Sequence, residues 1–157
     1  MAAPPRGNTG HSVYFITASA FQRRLLFRNE PMARMFVEVL FHYRDKKNFL
    51  LHEFVLMPDH FHLLLSPTVS LERSLQLIKG GFSYRARKEL EFQGDIWEKS
   101  FYDRRVRAFE DYSNFKHYIR RNPVKRGLAG TPEEYPFSSA HPDFVLDDVP
   151  ERLKLTA

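Results

Sequence analysis

The stretch Met57 to Pro67, MPDHFHLLLSP, decides how the chain reads. Pro58 presets its own φ and Asp59 caps its own backbone, so the two make a tight turn. His60 to Leu65 then has the length and apolar character of a strand. Side chains alternate along a strand, so His60 and His62 share one face while Phe61, Leu63 and Leu65 take the other. Working backward, Leu50 to Met57 (LLHEFVLM) is strand-like too, and the turn makes the pair a hairpin. Two imidazoles side by side at the start of a strand are a candidate metal site. The bland reading of the same pattern is two histidines on a polar sheet face.

Further out, the chain supplies the rest of a small sheet. Met1 to Gly10 (MAAPPRGNTG) is Pro/Gly-rich and reads as disordered. Ser12 to Ser19 is β-branched and aromatic, the first strand. Asn29 caps a helix that starts at Glu30-Pro31 and reaches about Lys47, with Met32, Met35, Phe36, Val39, Leu40 and Tyr43 at three- and four-residue steps. Beyond the hairpin, Ser70 caps a second helix that Gly80-Gly81 interrupts. Tyr102 to Val106 reads as a fourth strand. Phe109 to Arg121 is a third helix, broken by Asn122-Pro123. The order βαββαβ is that of an α+β domain with a ferredoxin-like or RRM-like antiparallel sheet. Residues 11–139 form it, with helices on one face and an added C-terminal helix. The histidines are expected on its open face, and 140–157 is an acidic tail.

Composition limits the function. The chain has 157 residues, 43% hydrophobic and 15% aromatic, enough for one domain with a real core. No apolar run spans a bilayer, no N-terminal signal pattern appears, and cysteine is absent, which fits a reducing cytoplasm and excludes thiolate metal sites. Net charge is +5. Lys99 to Arg126 holds nine Lys or Arg against three acids, whereas Thr131 to Ala157 holds six acids against Arg152 and Lys154. A basic centre with an acidic tail points to a polyanionic partner; a solvated charged face is the bland alternative.

On the third helix, Phe109, Tyr112, Phe115 and Ile119 form the core stripe. Tyr118 and Asn122, four apart, are neighbours beside it, placed to face a cleft between helix and sheet. Tyr118 also reads as an amphipathic core-edge tyrosine, and Asn122 as the N-cap of a short helix NPVKRG.

Taken together, MPDHFHLLLSP, WEKSFYDRRVR, HYIRRNPVKRGL and YPFSS, in this order, closely resemble the single-tyrosine HUH transposases, specifically the REP-associated tyrosine transposases. The resemblance runs from about Ser12 to Ser139. It implies that His60 and His62 bind a divalent metal, that Tyr118 is the nucleophile and that Asn122 is the third ligand. Tyr84, Tyr112 and Tyr102 are the competing nucleophiles. Relatives often carry asparagine where Asp59 stands, a difference expected to matter little. The resemblance also implies recognition of repeated extragenic palindromes.

The implied chemistry suits the residue types. A phenol with a pKa of about 10 needs cationic or metal activation to attack a phosphodiester. Arg120, Arg121 and Lys125 supply charge nearby, and Lys79, Arg85, Arg104 and Arg105 are candidate DNA contacts. Mixed nitrogen and oxygen ligation suits Mg²⁺ or Mn²⁺, with Zn²⁺ favoured by raw affinity. The expected partner is a single-stranded DNA hairpin, met by a monomer or homodimer in the cytoplasm, at the nucleoid. An RRM-like binding module, a phosphodiesterase using metal-bound water, and an inactive binder are the rival readings.

Overall fold

The turn at Pro58 and Asp59 joins two antiparallel strands, β2 (Phe49–Met57) and β3 (His60–Pro67). The structure, a computed structural model, describes residues 12–154. The N-terminal segment expected to be disordered lies outside the described residues. β1 (Val13–Ser19) pairs with β3 on one side and with β4 (Tyr102–Val106) on the other, so the sheet order is β2-β3-β1-β4, antiparallel throughout. α1 (Glu30–Asp45) links β1 to β2, α2 (Leu71–Glu89) links β3 to β4, and α3 (Phe109–Lys125) follows. The expected α+β architecture is therefore present.

The two faces of the sheet carry different helices. Ile16, Ala18, Phe54, Leu56, Phe61 and Leu63 pack against Phe36, Leu40, Leu75, Ile78 and Phe82 of α1 and α2. On the other face Val13, Phe15, Val55, Met57, Leu64 and Val106 pack against Tyr112 and Ile119 of α3. The face bearing the histidines is thus not open. Its remaining side chains are too apolar to leave in water, and the added helix covers most of them. A bulge in β2 sets up both faces: Leu51 opposes Leu65 while Glu53 opposes Leu64, leaving His52 as the extra residue. The alternation changes phase there, so Phe49, Leu51, Phe54 and Leu56 all reach the same core.

The helix caps stand where the sequence puts them. Asn29 accepts from the Met32 N–H (3.1 Å) and Ser70 from the Arg73 N–H (3.0 Å). Two expected breaks are absent. α2 runs through Gly80-Gly81, and Gly81 serves close helix packing: a Cβ there would stand 2.8 Å from the Tyr43 ring and 3.1 Å from Val39 Cγ1. α3 runs through Pro123, with the Arg126 N–H donating to the Asn122 carbonyl (3.0 Å), and it terminates at Gly127, whose φ is +74°. Asn122 is therefore an interior helical residue and not an N-cap.

The acidic C-terminal segment is part of the packing. Phe137, Ser139 and Asp147 bond along the outer edge of β2, protecting an otherwise unpaired strand, and Phe144 stacks on Phe41. Among the described residues, no helix is long and apolar enough to cross a membrane.

Candidate active site

Strand register builds the centre of the site. Thr17 of β1 lies opposite His62, and Ser19 opposite His60. Both imidazoles are buried, 4.8 Å apart between ring centroids. His60 Nδ1 lies 2.6 Å from Asp59 Oδ1, and Asp59 Oδ2 accepts from Arg23 Nε at 3.0 Å. His62 Nδ1 lies 2.8 Å from Thr17 Oγ1. With Nδ1–H donating in each ring, both Nε2 atoms keep their lone pairs for a ligand. Burial lowers the proton affinity of both, and for His62 burial, the neighbouring His60 and the Arg126 charge bring the pKa to about 3. Desolvation works against the Asp59 carboxylate, yet the His60 hydrogen bond and the Arg23 charge hold it below the usual range. Neutral imidazoles oriented by partners on Nδ1 are the form that binds metal.

Tyr118 projects from α3 into the same cleft. Its ring, half exposed, lies 5.2 Å from that of His62 and 6.1 Å from Phe15, which in turn stacks on His62 and Phe115. The cleft has a volume of about 510 Å³. Of the competing tyrosines, Tyr84 sits on α2, on the opposite side of the sheet, next to Lys88. Tyr112 is buried in the core, and desolvation raises its pKa. Tyr102 alone among the three lines the cleft.

Two buried polar side-chain atoms lack a hydrogen-bond partner among the described residues: His62 Nε2 and Asn122 Nδ2. They belong to expected ligands, and an unsatisfied buried polar atom is what a bound ion relieves. Amide nitrogen and oxygen are interchangeable by a flip, so Asn122 can turn its oxygen the same way. Asn122 lies one turn beyond Tyr118, is buried, and is not among the residues that line the cleft. Among the described residues no three His, Asp or Glu side chains cluster as a ready metal site.

The candidate DNA contacts divide. Arg104 and Arg105 are exposed on the edge strand β4, and Arg104 shares the face of Phe15, its register partner. Arg121 and Lys125 are exposed on α3. Arg120 instead pairs with buried Glu53. Arg85 bonds Glu38 and Glu89, and the Lys79 ammonium donates to the Glu98 carbonyl, both on the α2 side of the sheet. Sequence reasoning passed over Thr17, Arg23 and Arg126, which line the cleft, and discounted Asp59. Thr17 was legible only through strand register, and Asp59 only through its bond to His60.

Comparison with known proteins bears on the family and the fold. The family model for IS200-like transposases matches residues 10–122. A REP-associated tyrosine transposase of Escherichia coli is 26% identical over 140 residues, covering 83% of this chain and 77% of that protein. A provisionally named REP-associated tyrosine transposase of Haemophilus influenzae is 27% identical over 108 residues, and the chain spans only 61% of its length. Among solved structures, a REP-associated tyrosine transposase bound to a REP hairpin superposes with a TM-score of 0.74 at 23% identity, covering 91% of this chain and 85% of that one. With the histidine hairpin and the tyrosine helix meeting in one cleft, the chain belongs to the IS200-like transposase family and is similar to the REP-associated tyrosine transposases.

Proposed function

We propose that the chain cleaves and rejoins single-stranded DNA carrying a REP-like hairpin, through a 5′-phosphotyrosine on Tyr118. The observation that carries this reading is the Tyr118 ring 5.2 Å from that of His62, whose buried Nε2 has no hydrogen-bond partner among the described residues. The Tyr118 hydroxyl loses its proton to solvent and its oxygen bonds to phosphorus. The bond from phosphorus to the 3′ oxygen breaks, and that oxygen takes a proton. Attack by a second 3′-hydroxyl reverses the step, so rejoining needs no external energy source. His60, His62 and Asn122 are the residues that would hold Mg²⁺ or Mn²⁺, which when bound polarises the scissile phosphate and steadies the leaving oxygen. Arg104, Arg105, Arg121 and Lys125 contact the DNA backbone. Arg120, Arg85 and Lys79 have internal partners and serve the fold. The same reading places the protein's work on nucleoid DNA in the cytoplasm.

The covering of the histidine face by α3 disfavours an RRM-like module, which needs an open sheet for base stacking. The test is a denaturing gel of the protein mixed with labelled single-stranded hairpins from repeats beside its gene, with Mn²⁺. A covalent band that requires metal and is lost in Tyr118→Phe and His60→Ala supports the proposal. Cleavage without a band would point instead to metal-bound water, and loss of the band in Tyr102→Phe alone would move the nucleophile.

A further inference from the structure

Two arginines, Arg23 and Arg126, line the cleft with the histidine pair. Arg23 sits in the turn after β1, where Gln22 and Arg23 both have φ of +55°, a left-handed conformation that side chains rarely adopt. Three hydrogen bonds hold the turn there: Phe21 N–H to the Ile96 carbonyl (2.8 Å), Gln22 N–H to Glu98 Oε2 (2.6 Å) and Arg23 N–H to the Ala20 carbonyl (2.9 Å). The turn delivers the guanidinium to the cleft, where Asp59 and the Ser19 hydroxyl accept from it. Arg126 comes from the other side, at the end of α3, and has no ion-pair partner among the described residues. The charges of both arginines are felt at both imidazoles. No carboxylate is among the described residues that line the cleft. Two cations lining one cleft beside the histidine pair, with no acid among the described lining side chains, make a site for an anion.

We propose that Arg23 and Arg126 clamp the scissile phosphate, binding its non-bridging oxygens from the sheet side and the helix side while Tyr118 attacks. This rests on the transesterase reading above. A phosphodiester carries one negative charge; attack by the tyrosine oxygen adds charge to the phosphoryl oxygens, so the guanidinium groups bind the transition state better than the ground state. Asp59 keeps Arg23 in place before DNA arrives.

The experiment follows single-turnover adduct formation by the full chain with Mn²⁺ and saturating hairpin oligonucleotide. Alongside it, DNA affinity is read by fluorescence anisotropy in a Tyr118→Phe background, and Mn²⁺ affinity by calorimetry. Arg23→Ala and Arg126→Ala are each expected to slow adduct formation by about 100-fold. DNA and Mn²⁺ affinities should change by less than about 3-fold, since one phosphate contact among many is lost. Lysine at either position should restore only part of the rate, because an ammonium cannot bind two oxygens side by side. A methylphosphonate at the scissile link, which lacks the charged oxygen, should slow the wild type far more than the double alanine variant. Unchanged rates in the alanine variants beside an active wild type would overturn the clamp and leave the transesterase reading standing. A rate loss matched by lost Mn²⁺ affinity would overturn it too, making Arg23 a prop for Asp59. A wild type that labels no hairpin at all would sink the transesterase reading, and the clamp with it.

Discussion

Glu53 on β2 and Arg120 on α3 are joined by two hydrogen bonds, Nε to Oε1 at 2.9 Å and Nη2 to Oε2 at 3.2 Å. The carboxylate is only 5% exposed, and the Ser139 hydroxyl donates a third bond to it. Because Arg120 lies two residues after Tyr118, this clasp fixes the rotation of α3 about its axis and so the direction in which Tyr118 points. Arg120→Ala would strand a buried carboxylate, costing about 2–3 kcal/mol once the partial exposure of the arginine is allowed for. Urea unfolding should register that loss, and adduct yield should fall with it. Equal stability of the variant and the wild type would show that the clasp is not needed.

The two glycines of α2 should behave in opposite ways. A methyl group on Gly80 meets nothing within 4 Å, so Gly80→Ala gains helix propensity of about 0.5–1 kcal/mol. On Gly81 the same group runs into Tyr43 and buried Val39, and overpacking outweighs the gain by about 1 kcal/mol. Thermal melts of the two variants, shifted upward and downward respectively, are the check.

That pair also shows where the sequence stopped being legible. Glycine and proline read locally as breaks, but Gly81 answers to a neighbouring helix, and Pro123 is tolerated because the turn after it stays hydrogen-bonded. Local patterns were enough for the strands, the caps and the His60–His62 face, since period and capping chemistry are carried by adjacent residues. Contacts across long separations were not. Nothing near Thr17 in the chain marks it as the partner of a ring 45 residues away, and nothing near Glu53 marks it as the anchor of α3.

Stability should fall on mild acidification. Burial holds His62 at about 3, far below its ordinary 6.5, and lowers His52 and His60 as well. Below about pH 6.5 the unfolded chain takes up protons that the folded chain refuses, so stability is complete above that pH. It then drops by up to about 1.4 kcal/mol per pH unit for each such histidine. In urea unfolding of metal-free protein, the difference between pH 7.5 and 5.5 should shrink by about 1 kcal/mol in His62→Gln. An undiminished difference would assign the pH dependence to other groups.

Asp59 is expected to matter more than the sequence reading allowed. Its carboxylate accepts from His60 Nδ1–H at 2.6 Å, fixing the ring so that Nε2 faces outward, and it also anchors Arg23. Removing such an orienting partner costs a metal site about 10- to 100-fold in affinity. Asp59→Ala should therefore weaken Mn²⁺ binding by that factor. Asp59→Asn, which keeps an oxygen for His60 but loses the charge that holds Arg23, should weaken it only a few-fold. Thr17→Val is the parallel case for His62, since the Thr17 hydroxyl lies 2.8 Å from its Nδ1. Calorimetric titration of the three variants separates the effects: the alanine and valine changes should be large, and the asparagine change small. If Asp59→Ala bound Mn²⁺ as tightly as the wild type, packing against Phe15 and His62 would have to be orienting the rings instead.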